Sequence, residues 1–84
     1  MRITLKLFAS LTDWLPPEAR AANQVTLDYA EPPTVSEVIT RFGLPQKSVH
    51  LVLVNGAFVN PDERDARRLA DGDVLAIWPP IAGG

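Results

Sequence analysis

Cysteine is missing from the 84 residues, which removes disulfides, thiolate nucleophiles and thiolate metal ligands together. Its absence fits a reducing compartment. Histidine occurs once, as His50, and methionine once, as Met1. A single imidazole without Cys or His partners makes a poor metal site, so His50 is assigned to a surface or edge position and no metal is expected. No apolar run approaches the ~20 residues that span a bilayer. The opening Arg2-Ile3-Thr4-Leu5-Lys6-Leu7 alternates where a signal peptide would be continuously apolar. The expectation is an unexported, cytoplasmic chain with no membrane partner. Net positive charge is lacking too. The formal charge is −2, and the densest basic cluster, Arg64, Arg67 and Arg68, is interleaved with Asp62, Glu63 and Asp65. A nucleic-acid partner, which requires a basic stripe to displace counterions from phosphates, is not expected. Nor is there a Ser/His/Asp set or a Gly-rich phosphate loop, so the chain is not expected to be an enzyme on its own.

What is present describes one domain over residues 1–84, since this length leaves no room for two. Ile3, Leu5 and Leu7 alternate with Thr4 and Lys6, a strand with one face on a core. Ser10 to Leu15 suits a short helix, with Ser10 as N-cap and Leu11, Trp14 and Leu15 inward. Pro16-Pro17 would stop it, and 18–23 read as loop. Val25, Leu27 and Tyr29 give a second strand. After Pro32-Pro33, Thr34-Val35-Ser36-Glu37 is a capping box. Val35, Val38, Ile39 and Phe42 follow it at the spacing of one apolar helix face. Gly43 suits the left-handed position beyond that helix of about nine residues, and Pro45 prevents its continuation.

Leu51-Val52-Leu53-Val54 is apolar on both faces, as in a strand inside a sheet or covered twice. Asn55-Gly56 is a strong hairpin signal, with Ala57-Phe58-Val59 returning. Pro61 to Ala70 reads as a surface loop that tucks in Leu69. Asp71-Gly72-Asp73 forms a turn, its two carboxylates explained by turn chemistry, and Val74 to Trp78 is the last strand. Phe8 and Phe58 are assigned to the core, an exposed docking patch being the other reading. Arg67 and Arg68 are assigned to solvent. Strand, strand, helix, strand, short strand, strand is an α+β order: a mixed sheet with one main helix packed on one face.

The unusual segment follows Trp78: Pro79-Pro80-Ile81-Ala82-Gly83-Gly84. A proline pair donates no ladder hydrogen bonds and holds an extended course. The four residues after it can reach roughly 13 Å at about 3.3 Å each. Glycine lets the backbone approach an enclosing wall closely. A flexible tail over 79–84 that enters a narrow channel in another protein is expected, and an inert frayed end is the alternative.

Leu53-Val54-Asn55-Gly56, followed by the whole run from Leu69-Ala70-Asp71-Gly72-Asp73 to Gly83-Gly84, resembles the MoaD/ThiS family of ubiquitin-like sulfur carriers. The opening Leu5-Lys6-Leu7-Phe8-Ala9-Ser10-Leu11 is similar to the MoaD branch, the small subunit of molybdopterin synthase. Chain length and Pro79-Pro80 also lean to that branch, whereas the segment Trp14 to Gln24 is longer and richer in proline than its pattern. The resemblance implies a β-grasp fold with the last strand inside the sheet. It implies that Gly84 is the reacting group, as carrier: a partner that uses ATP and Mg²⁺ adenylates its carboxylate, and sulfur then replaces AMP to leave a thiocarboxylate. Gly83, Ala82, Ile81, Pro80 and Pro79 would line the partner's channel, and Trp78 would anchor the tail's root or pack in the core. The chain itself would bind no cofactor. The implied partners are an adenylating enzyme of the MoeB/ThiF kind, a large synthase subunit of the MoaE kind, and a sulfur donor such as a cysteine desulfurase or rhodanese. The sulfur would serve a molybdopterin (Mo/W cofactor) dithiolene. ThiS-like donation to thiazole or another thiolation remains open, as does protein modification through the same Gly84.

Overall fold

The computed structural model describes residues 1–80, and the expectations attached to Ile81, Ala82, Gly83 and Gly84 lie outside the described residues. Five strands and one helix follow in chain order: β1 (Arg2–Leu7), β2 (Gln24–Asp28), α1 (Val35–Arg41), β3 (Leu51–Val54), β4 (Ala57–Phe58) and β5 (Val74–Trp78). The sheet order is β2-β1-β5-β3-β4. β1 and β5 run parallel and every other neighbouring pair is antiparallel, so the sheet is mixed. With α1 against one face, this is the β-grasp arrangement.

The register decides which side chains meet. Leu5 lies opposite Val25 on one side and Leu75 on the other, while Ile77 lies between Leu7 and Val52. Ile3, Leu5, Leu7, Val52, Val54, Leu75 and Ile77 therefore share one face, and each is buried. Val35 and Val38 of α1 belong to the same cluster, and Ile39 and Phe42 lean on it. Leu11, Leu15, Leu44, Val49, Val59 and Leu69, from connecting segments, close its borders. Burying such a side chain contributes about 1.5–3 kcal/mol. Packing rather than propensity therefore holds a helix of only seven residues.

The local signals in α1 operate as their chemistry requires. Thr34 Oγ1 accepts from the Glu37 N–H at 3.1 Å, and the Glu37 carboxylate accepts from the Thr34 N–H at 3.1 Å. Gly43 takes φ +67° just past the C-cap Phe42. In the β3–β4 hairpin, Asn55 and Gly56 both take positive φ, at 51° and 83°.

The turn Asp71-Gly72-Asp73 ties three strands together. Asp71 Oδ1 accepts from the Arg2 N–H at 2.7 Å, and the Asp73 carbonyl accepts from the Thr4 N–H at 3.0 Å. The Asp73 carboxylate accepts from Asn55 Nδ2 at 2.8 Å and from the Ala70 N–H at 2.7 Å. Asn55 Oδ1 in turn accepts from the Val74 N–H at 2.9 Å. The start of β5 is thus fixed to β1 and to the hairpin tip at once.

Some expectations are corrected. The helix expected from Ser10 is a 3-10 turn over Ala9–Trp14 whose N-cap is Phe8, with no side-chain cap. The turn opens on Ala9 at φ +53°, one residue earlier than a Ser10 cap allows. Leu11 and Leu15 are buried as expected, but Trp14 is 38% exposed. Leu15 follows the turn in an extended conformation and takes the inward place itself. The loop 18–23 is preceded and partly formed by a 3-10 turn over Pro17–Ala19. It is held down by Arg20, which donates to the carbonyls of Leu15 and Asp13.

Replacing Thr34 by Ala removes one half of the capping box and should lower stability by about 1 kcal/mol, read as a shifted urea midpoint at unchanged m-value. Asp73→Ala removes two side-chain acceptors of the three-strand tie and should cost about 1–3 kcal/mol in the same experiment.

Candidate functional site: the open sheet face and the root of the tail

Alternation sends every second side chain away from the core, and α1 covers only the opposite side. The open face carries Phe8 at the end of β1, Val74, Ala76 and Trp78 on β5, Leu51 and Leu53 on β3, and Phe58 on β4. The register aligns them: Ala76 lies opposite Leu53, Leu53 opposite Phe58, and Trp78 opposite Leu51. On the β1–β2 side the same face is polar, with Thr4, Lys6, Gln24 and Thr26. An apolar strip over β5, β3 and β4 thus borders a polar flank. Within the strip Phe58 is exposed, Leu51, Leu53, Val74 and Trp78 are half-buried, and Ala76 is buried between its neighbours.

Trp78 stands at one end of this strip. It is half-buried, outside the core cluster, and stacks on Phe8 with ring centroids 4.2 Å apart and planes 1° from parallel. Its carbonyl accepts from the His50 N–H at 3.0 Å. Pro79 has no N–H to continue the ladder, so the strand ends there by chemistry as well as by geometry. Pro79 is half-buried and Pro80 exposed. The stacked pair therefore fixes the point from which the chain leaves the sheet.

The assignment of Phe8 and Phe58 to the core is overturned. Phe58 is 53% exposed, and Phe8 is half-buried against Trp78. Both belong to the open face because they fall in register with its residues rather than with Leu7 or Val52. His50 is exposed, as expected. Arg68 lies at the surface and donates to the Pro32 carbonyl, with Glu37 at 3.7 Å. Asp71 and Asp73 serve the turn. Among the described residues, no group of His, Asp or Glu gathers in a way that could hold a metal ion. No helix among them is long and apolar enough to cross a membrane. Leu53 and Ala76 were not singled out from the sequence. The two-sided apolarity of their strands was the one signal that could have found them.

No curated protein matches the chain. Among solved structures, a Haloferax volcanii protein, HVO 2177, superposes with a TM-score of 0.73 at 26% identity, covering 100% of this chain and 87% of the other. SAMP1 from the same organism gives 0.67 at 23% identity, with full coverage of both chains. A complex of subunits 1 and 2 of the molybdopterin-converting factor from Helicobacter pylori gives 0.60 at 16% identity, again with full coverage. At 23% and 16% identity, the last two likenesses speak to the fold. The model of the ThiS family matches residues 5–84, from the first core strand through the tail and across nearly the whole sequence, and the chain therefore belongs to the ThiS family.

Proposed function

We propose that this chain is a sulfur carrier whose Gly84 carboxylate is the loaded group, and that it delivers sulfur for a molybdopterin-type dithiolene. The observation that carries the reading is the path from a fixed strand to a proline-stiffened exit. β5 is pinned at the sheet centre, its last residue is braced by Phe8 beside an apolar face, and Pro79-Pro80 follow it directly, with Ile81-Ala82-Gly83-Gly84 next in sequence. A partner that covers the open face would receive the tail at a set distance and angle.

The chemistry belongs to the partners. A carboxylate is a poor electrophile, so an ATP- and Mg²⁺-using enzyme would join it to the α-phosphate and release pyrophosphate. Hydrosulfide can displace AMP from that acyl-adenylate to give the thiocarboxylate directly. A persulfide gives an acyl disulfide, which a thiol then cleaves. The thiocarboxylate sulfur is nucleophilic near neutral pH. In this reading Gly83 and Ala82 permit close approach of the partner's walls, Ile81, Pro80 and Pro79 line the entrance, and Trp78 anchors the root. Dependence on ATP fits work in the cytoplasm. The Helicobacter pylori likeness supports a large-subunit partner. The likeness to SAMP1 supports a second reading, in which a lysine amine attacks the same adenylate and forms an isopeptide bond.

Incubation with an adenylating enzyme, Mg-ATP and a sulfur donor should raise the intact mass by the difference between sulfur and oxygen. The gain should localise to Gly84 and vanish when Gly84 is deleted. An unchanged mass beside a positively controlled carrier overturns the reading, and branched peptides from a target protein would favour modification instead. Phe58→Ser should lower stability by about 1 kcal/mol and leave the chain folded, since about half of the residue is exposed. The same substitution should weaken binding to the adenylating enzyme by about fivefold or more in calorimetry, as loss of an interface aromatic does.

A further inference from the structure

Around the edge of the sheet from the open face lies a groove of about 700 Å³ between α1, the 46–51 segment and the loop that follows β4. Its apolar lining is Ile39, Val49, Leu51, Phe58 and Pro61, and its cations are Lys47 and Arg64. Leu51 and Phe58 also belong to the open face, so the two surfaces are continuous. Neither Lys47 nor Arg64 has a carboxylate within ion-pair distance among the described residues. The carboxylate that lines the groove, Asp65, is engaged by the Ser36 hydroxyl.

Arg64 is held in place. Its Nη2 donates to the His50 carbonyl at 3.3 Å, and its own carbonyl accepts from the Ser36 N–H at 3.1 Å. Its Nε is shielded from solvent and has no acceptor among the described residues. Desolvation draws the guanidinium below its ordinary pKa, though it stays charged near neutrality. A charged donor group that is partly desolvated and incompletely satisfied is costly to keep. The orphaned Nε is out of reach from the groove, so an arriving acceptor would meet the guanidinium at its Nη atoms, by charge-assisted hydrogen bonds to a cation that has no carboxylate partner among the described residues.

We propose that the groove seats a segment of the docking partner that carries a carboxylate side chain flanked by an apolar residue. Arg64 and Lys47 contact the carboxylate, and Phe58 with Ile39 contacts the apolar neighbour. A polyanion such as a phosphate backbone fits poorly, because the two cations share the groove with five apolar residues and with Asp65, which would repel repeated charge. The proposal rests on the reading of the adjoining sheet face as a docking surface. It adds the chemistry by which a partner is chosen.

The test is an amide chemical-shift titration of the whole chain with the capped pentapeptide Ala-Ile-Asp-Leu-Ala, set against Ala-Ile-Asn-Leu-Ala. The expected result is shifts at Lys47, His50, Phe58 and Arg64, with the Asp peptide bound about tenfold more tightly than the Asn peptide, as a charge-assisted contact gives. Arg64→Gln should reduce the Asp peptide to the level of the Asn peptide. If that variant fails to keep native dispersion, Lys47→Gln should weaken the Asp peptide severalfold instead. Equal binding of the two peptides, shifts confined to Leu53 and Ala76, or no shifts at all would overturn the proposal. The titration needs neither Gly84 nor an adenylating enzyme. A chain that gains sulfur yet ignores the peptides refutes the groove alone, and one that binds the Asp peptide yet never gains sulfur refutes the carrier reading alone.

Discussion

The placement of β5 between β1 and β3 is the constraint on which the rest of the structure depends. A strand paired on both sides can move only if two ladders break. This one is further tied at its start, where Asp73 meets Asn55 and the Thr4 amide. Because its beginning is fixed, its end is fixed as well: five residues later the chain must emerge at Trp78, beside Phe8 and Leu51. The rigidity of the exit is built at the opposite end of the strand, by a turn that looks from the sequence like an ordinary Asp-Gly-Asp loop.

The two faces of the sheet divide the work. One face meets α1 and the connecting segments and forms the core. The other leaves Phe58 exposed and Leu51 and Leu53 half-buried around a buried Ala76, in a domain small enough to need its apolar surface for stability. Leaving a strip of it open makes sense where a second protein completes the burial. Around the edge, the groove adds the cations Lys47 and Arg64 to this apolar surface, and apolar contact alone discriminates weakly between partners.

The segment between Trp14 and Gln24 runs along the β1–β2 side of the domain. Arg20 secures it to Leu15 and Asp13, and Asn23, at φ +60°, pairs with both backbone groups of Leu7. It returns the chain to the outer edge strand β2, two strands away from the exit at Trp78.

The sequence by itself determined the elements whose signals are local. The capping box at Thr34 and Glu37, the Asn55-Gly56 hairpin and the alternation of Ile3, Leu5 and Leu7 each satisfy backbone or burial demands within a few residues, so short-range reading finds them. It also carried the tail, since Pro79-Pro80 and the closing glycines are legible as composition. Tertiary structure alone decided which apolar residues are left outside. Phe8 and Phe58 have the hydrophobicity of core residues, and only their register across β5, β3 and β4 turns them outward. It likewise decided that Arg64, one cation in a mixed-charge run, is the one drawn against the His50 carbonyl. That contact joins residues fourteen positions apart, and no pattern within either segment encodes it.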